Sequence, residues 1–286
     1  MPIHNIQITA DSTCDLSPEL IKRYDIAISP LYIVKEDGSY RDLVDITPQD
    51  IFDYVSKTGT LTKTSACTIQ DYIDLFTRYT EQGLSVVHLN ISSHFSSCYQ
   101  NACAAAQEVA PDKIFVVDSL NLSTGIGHVV LEACERAEQG MEARQIAQEL
   151  REKVVPKMEA SFVIDTLAYL AKGGRCSSVM ALGANILKLK PCIEVMDGKM
   201  HVGKKYRGSL SKCLGQYVTE RLSGRDDINP KRIFITHSGC SKEIVDQVRG
   251  LIQKIRPFEE IVETTAGCTI SNHCGPNTLG ILFLRK

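Results

Sequence analysis

The chain has 286 residues, 43% of them hydrophobic, enough for one large or two medium domains with a substantial core. Lysine plus arginine total 32 against 34 aspartate plus glutamate, and no basic cluster stands out, so nucleic acid is not an expected partner. No apolar run approaches the ~18 residues of a membrane helix, and 11 cysteines scattered singly read as reduced cytosolic thiols rather than a disulfide framework.

The first twelve residues, MPIHNIQITADS, lack a basic region followed by an apolar core, so no signal peptide is expected and the expected location is cytoplasmic. Residues 3–9 alternate as a short strand and run into the polar turn Asp11-Ser12-Thr13-Cys14-Asp15. Ser17 is placed to cap a helix that has Pro18 at its first position. Residues 27–34 read as a second strand, with Pro30 arguing against a paired N–H at that point. Thr47 with Asp50 opens a helix in capping-box fashion. Thr68 with Asp71 repeats the pattern for a helix running to Gly83. Between these two helices lies TLTKTSACT, a hydroxyl-rich loop over residues 60–68.

Residues 85–106, SVVHLNISSHFSSCYQNACAAA, are the stretch around which the rest is organised. They open as a buried strand (86–91) and close as a helix from about Cys98, with Ser92-Ser93-His94-Phe95-Ser96-Ser97 as the turn between. In an α/β protein such a turn arrives at the carboxyl edge of the sheet, where ligands bind. The free N–H groups of the helix start, its dipole and two or more serine hydroxyls suit a small anion. The competing reading is that Ser96 or Ser97 only caps the helix. Residues 113–118 form another strand, and two amphipathic helices separated at Gly140 follow, ending near Pro156.

Beyond that point the pattern changes. A short strand (161–164), a short helix (166–171) and a tight turn at Gly173-Gly174-Arg175 precede a hairpin over 192–206, centred on Asp197-Gly198. Strands at 232–236, 261–265 and 281–284, a helix at 242–255 and a loop, His273-Cys274-Gly275-Pro276-Asn277, complete the chain. The expected fold class is therefore α/β with two domains. Residues 1–156 form an α/β domain with a mainly parallel sheet, and residues 157–286 an α+β domain with a mixed sheet. The ligand slot is expected at the sheet edge, between or beneath the loops.

P-loop, nucleophile-elbow, H-E-x-x-H and G-x-G-x-x-G signatures are missing; Gly125-Ile126-Gly127 lacks the third glycine. Cys98 and Cys103 share a predicted helix with nothing nearby in sequence to complete a ligand set, so neither metal nor cofactor is expected. The candidate ligand-binding residues on the two hydroxyl loops are Thr64 and Ser65, and Ser96 and Ser97. Ser96 and His273 could also act as nucleophile and base, which gives a second reading: a hydrolase or transferase acting on a small molecule.

The segments TADSTCDL, KTSACT, ISSHFSSCYQNA, VVDS, DTLAYLAKGGRCS, LKPCIEV with Lys205-Tyr206-Arg207, and NHCGPNTLG occur in one order from about residue 4 to residue 285. In this the chain resembles the DegV-type proteins, a lipid-binding family that includes the fatty-acid-binding subunits of bacterial fatty acid kinases. It departs from the family's TSQP with TSAC, from LSGT with FSSC, and from GPG with GPN, yet keeps the hydroxyls of Thr64 and Ser96. The resemblance implies that Thr64 and Ser96 hydrogen-bond a long-chain fatty-acid carboxylate, that the acyl chain of an acid such as palmitate or oleate runs into an apolar slot, and that His273 lies near the carboxylate. It implies a carrier without catalysis of its own, presenting the acid to a fatty acid kinase that phosphorylates it. Arg175 and Arg207 then border the pocket mouth and dock the kinase.

Overall fold

The structure is a computed structural model describing residues 5–176 and 189–286. The start of the first predicted strand and Ser177, the last residue of the DTLAYLAKGGRCS segment, lie outside the described residues. The first half contains β1 (Ile6–Asp11), α1 (Pro18–Arg23), β2 (Ala27–Ser29), β3 (Tyr32–Lys35), β4 (Gly38–Arg41), α2 (Pro48–Thr58), β5 (Lys63–Ser65), α3 (Ile69–Thr80), β6 (Ser85–Asn90), α4 (Cys98–Val109), β7 (Ile114–Asp118), α5 (Thr124–Glu138) and α6 (Ala143–Glu149). The second contains β8 (Met158–Val163), α7 (Ala168–Gly173), β9 (Leu189–Met196), β10 (Lys199–Arg207), α8 (Leu210–Leu222), β11 (Ile228–Ser238), α9 (Lys242–Ile255), β12 (Glu260–Thr265), α10 (Cys268–Cys274) and β13 (Thr278–Arg285).

Three sheets form among the described residues. A four-stranded parallel sheet has the order β2-β1-β6-β7. Every residue of β1 and nearly every residue of β6 is buried, the signature of parallel strands covered on both faces. Helices α3 and α4 pack together over β6 and β7, and α5 and α6 pack together against the same strands. The chain leaves β1 for β2 on one side and reaches β6 on the other, so the carboxyl ends of β1 and β6 form a topological switch point.

The six-stranded sheet has the order β10-β9-β8-β13-β11-β12, antiparallel throughout except for β11 with β12. Its period-two alternation is clear. Ile233, Ile235, Ile281 and Phe283 join one apolar cluster with Leu214 and Val218 of α8 and Val245 and Val248 of α9. Phe234, Leu282 and Leu284 join the cluster that also holds β1, β6 and α5. The sheet is thus buried on both faces, and the two halves of the chain share one core through α5.

That role explains why α5 is not amphipathic as read from sequence. It contacts β1 and β6 on one side and β8 and β13 on the other, and its buried residues run all round it. Thr124 bonds Thr236 across the junction at 2.5 Å, and His128 Nε2 reaches the Leu282 carbonyl at 3.1 Å. Gly125 and Gly127 serve packing here, not a dinucleotide. A Cβ on Gly125 would sit 2.0 Å from the Asn121 side chain, and one on Gly127 2.8 Å from the Cys14 carbonyl.

The third sheet, β4-β3-β5, is antiparallel and small. It accounts for two further departures from the sequence reading. The stretch 27–34 is two strands in two different sheets, turned at Pro30, whose missing N–H leaves no ladder bond to lose. The hydroxyl-rich loop contains a short edge strand, β5, with Thr64 paired to Ile33. Elsewhere local chemistry holds: both capping boxes form, Ser17 accepts from Leu20 N, and the β9–β10 hairpin turns on Asp197 (φ 49°) and Gly198 (φ 75°).

Candidate functional site

The turn after β6 is fixed from below before it meets anything else. The Asp11 carboxylate, at the end of β1, accepts from Ile91 N at 3.0 Å, and Asp118, at the end of β7, accepts from Ser93 N at 3.3 Å. Ser92 is buried and donates to the Gly198 carbonyl at 2.8 Å, tying the turn to the β9–β10 hairpin of the other half. A Cβ at Gly198 would lie 2.8 Å from Ser92 Oγ and from the His94 ring, so a glycine is required there for closeness as well as for its positive φ. At the head of α4, Ser97 occupies the cap position without a side-chain bond. Ser96 Oγ instead accepts from Cys98 N at 3.3 Å and lies 3.1 Å from Cys98 Sγ.

Facing this turn are β5 and α10. Thr64 Oγ1 and His273 Nε2 are 2.9 Å apart. His273 belongs to the last turn of helix α10 and not to the loop expected from sequence, which begins only at Gly275. Helix α10 packs on α2, α7, β3 and β5, and Asp42 accepts from its first two N–H groups, those of Cys268 and Thr269, at 2.8 and 3.2 Å. Burial, followed by the nearby Arg175 charge, pushes the His273 pKa down to about 4, so the imidazole is neutral at pH 7. Its Nδ1 is buried without a hydrogen-bond partner among the described residues. Arg175 follows the left-handed Gly174 at the end of α7, is exposed, and donates to the Gly173 carbonyl at 2.9 Å.

Between the two faces lies a cavity of ≈ 390 Å³, within the ~300–1,000 Å³ common for small-molecule sites. Thr64, Ser65, Ser96, Ser97, His273 and Arg175 all line it; Arg207, exposed at the end of β10, is not among its lining residues. The remaining wall is largely apolar: Leu31, Ile91, Phe95, Leu122, Met200 and Ile270. Leu122, Ile270 and Cys274 also border a smaller apolar cavity of ≈ 30 Å³ that reaches Phe162 and Leu282 between the sheets. The arrangement is amphipathic: hydroxyls, the imidazole, the Asn101 amide and the Arg175 guanidinium share the wall with these apolar side chains. Ser96 and His273 are not hydrogen-bonded to each other among the described residues. No carboxylate orients the imidazole, whose one partner there is Thr64.

Thr269 is the residue that sequence reasoning missed. It is 4% exposed, lines the cavity one helical turn before His273, and its Oγ1 has no partner among the described residues. A buried hydroxyl left unpaired costs about 1–3 kcal/mol, so it is a ready donor for a guest. The signal was available only through the helix. In ETTAGCTISNHCGPN the small and β-branched residues hide a seven-residue helix, and with it the spacing that puts Thr269 and His273 on one face.

The fold and the site define a class: an α/β protein with a parallel and a mixed sheet sharing one core, and an amphipathic cavity at the switch point of the parallel sheet. The chain belongs to the DegV family, whose family model (described as "Uncharacterised protein, DegV family") matches residues 5–286. A DegV domain-containing protein of Clostridium acetobutylicum is 30% identical over 284 residues, covering 99% of this chain and 100% of that one. A Thermus thermophilus structure described as "Fatty Acid Binding of a DegV family Protein" superposes with a TM-score of 0.88 at 29% identity, covering 98% of this chain and 99% of the other. A stearic acid-binding protein from Eubacterium ventriosum gives a TM-score of 0.84 at 26% identity, covering 98% of each chain. No helix among the described residues is long and apolar enough to cross a membrane.

Proposed function

We propose that this protein binds one long-chain fatty acid, with the carboxylate at Thr64, Ser96 and His273 and the acyl chain along the apolar wall. The observation that carries this reading is the single cavity in which the hydroxyls of β5 and of the β6–α4 turn, the neutral imidazole and a hydrocarbon lining meet. The fatty-acid-binding Thermus relative and the stearic acid-binding Eubacterium relative support the same ligand class. Ser65, Ser97 and Thr269 line the same cavity and supply further hydroxyls. The energetics divide the labour. A buried CH₂ is worth about 0.8 kcal/mol, so a palmitoyl chain contributes roughly 10 kcal/mol before association costs. A hydroxyl bonded to a charged group adds about 1.5–3 kcal/mol. The tail sets affinity and the hydroxyls set orientation.

Orientation matters if the acid is handed on. The finer part of the proposal is that the protein carries out no chemistry itself and offers the carboxylate to a fatty acid kinase in the cytoplasm. Two observations favour a carrier over a hydrolase: among the described residues Ser96 has no bond to His273 and no carboxylate orients the imidazole. Arg175, exposed at the cavity wall, and Arg207, exposed on β10, are the proposed docking charges; arginine offers planar, permanently charged donors to an acidic partner site. The test is mass spectrometry of lipid extracted from the purified protein, paired with a titration of delipidated protein with palmitate and oleate. About one fatty acid per chain with saturable rebinding is expected. No lipid and no saturable binding would remove the reading, whereas turnover of chromogenic esters by the pure protein would favour the hydrolase.

A further inference from the structure

Asp11, Cys67 and Cys98 come from three separate places: the last residue of β1, the segment between β5 and α3, and the first residue of α4. All three are fully buried, and a carboxylate oxygen and the two sulfurs lie within 4.8 Å of one another. We propose that this cluster is a binding site for a thiophilic divalent cation, zinc above all, set into the wall of the cavity. Cys67 itself borders that cavity.

The donor set selects the metal. Two sulfurs and one carboxylate suit zinc, which takes cysteine and aspartate in tetrahedral sites; magnesium and calcium demand oxygen shells and are excluded. Three protein ligands leave a fourth position for water or another small oxygen ligand. The surrounding side chains are already arranged as a supporting shell. Asp11 is held by Tyr72 Oη at 2.7 Å, by Asn90 Nδ2 at 3.1 Å and by Ile91 N at 3.0 Å. Each sulfur has one hydroxyl donor, Ser29 Oγ to Cys67 at 3.3 Å and Ser96 Oγ to Cys98 at 3.1 Å, and such donors stabilise a thiolate. A bound cation would make the carboxylate oxygen and the two sulfurs ligands of one central charge. Binding releases two protons, one from each thiol, and the Cys67 donor bond to the Pro30 carbonyl, now 3.3 Å, is given up.

The purified full chain, stripped with a chelator and exchanged into metal-free buffer, is titrated with Zn²⁺ and, as a spectroscopic stand-in, with Co²⁺. The wild type is expected to take up one equivalent of zinc. The cobalt form is expected to show thiolate charge transfer and the d–d absorption of a tetrahedral site. Cys67→Ser and Cys98→Ser should each weaken zinc binding by about a hundredfold or more, since loss of even an outer-shell partner costs 10–100-fold. Cys134→Ser, buried on α5, should leave it unchanged. Failure of the wild type to bind stoichiometric zinc, or zinc affinity in the Cys67→Ser and Cys98→Ser variants equal to that of the wild type, overturns the proposal. A serine in these buried places can also impair folding, so the question is put to the wild type alone as well. X-ray absorption at the zinc edge should find two sulfur neighbours; any other sulfur count overturns the assignment.

Discussion

Replacing Thr64 by valine isolates the hydroxyl on which the proposed carboxylate site depends. The change is nearly isosteric, and valine suits the edge strand β5, so the backbone pairing with Ile33 is expected to survive. In the unliganded protein the variant loses the 2.9 Å contact with His273 Nε2, a half-buried hydrogen bond worth about 0.5–1.5 kcal/mol, and leaves that nitrogen without its partner. A drop in unfolding free energy of roughly 1 kcal/mol, up to about 3 if no water replaces the hydroxyl, is the expected structural cost. In the complex the variant loses a hydrogen bond to a charged acceptor, about 1.5–3 kcal/mol, or roughly 10- to 150-fold in Kd. The tail term is untouched, so binding should persist at reduced affinity. The assay is displacement of a fluorescent fatty acid by palmitate, run beside chemical denaturation, with Thr64→Ser as the control that restores the hydroxyl. Palmitate affinity within about twofold of wild type in a folded Thr64→Val protein would show that the carboxylate is held elsewhere.

Ser96→Ala should weaken palmitate by a similar factor, and because Ser96 Oγ also accepts from Cys98 N it should cost about 0.5–2 kcal/mol of stability through the helix start, read by thermal melting. Arg175→Ala and Arg207→Ala should leave bound lipid in place but reduce acyl-phosphate formation by a partner kinase; proportional loss of lipid and turnover would mean that they hold the ligand rather than dock the kinase. His128 is buried and bonded to the Leu282 carbonyl, and burial pushes its pKa down to about 3 from an ordinary 6.5. The folded state keeps it neutral while the unfolded chain protonates it below pH 6.5. The stability this group contributes is therefore full above pH 6.5 and is lost as pH falls toward 3, at up to about 1.4 kcal/mol per pH unit. His128→Gln should flatten the decline between pH 6.5 and 5 in denaturant titrations, and an unchanged slope would mean that other groups govern acid sensitivity.

What was legible in the sequence was local. The β6–turn–α4 unit, the capping boxes at Thr47 and Thr68, and the Asp197-Gly198 hairpin each rest on residues within a few positions of one another, and all form. The two hydroxyl loops were visible for the same reason. Features that tertiary packing decides were not. Helix α10 is a seven-residue helix held by α2, α7, β3, β5 and Asp42 rather than by its own propensity. Residues 266–272 carry no element in the sequence reading and His273 is placed in a loop, so Thr269 stays concealed. Helix α5, expected from sequence to be amphipathic, does carry Glu132, Glu135 and Arg136. Yet Glu135 and Arg136 are paired, to Lys231 and Arg232 and to Glu132 and Glu149 respectively, and apolar residues fill the contact with both sheets. The meeting of Asp11 with Cys67 and Cys98 likewise depends on strand order, which no spacing along the chain reveals.

The central claim is tested most directly by a crystal structure of the protein with palmitate. The account predicts density for one acyl chain in the cavity, its carboxylate within hydrogen-bonding distance of Thr64 Oγ1 and Ser96 Oγ, and its tail against Leu31, Ile91 and Ile270. A carboxylate paired with another group, a reversed chain with its methyl end at Thr64, or an empty cavity at saturating palmitate would contradict it.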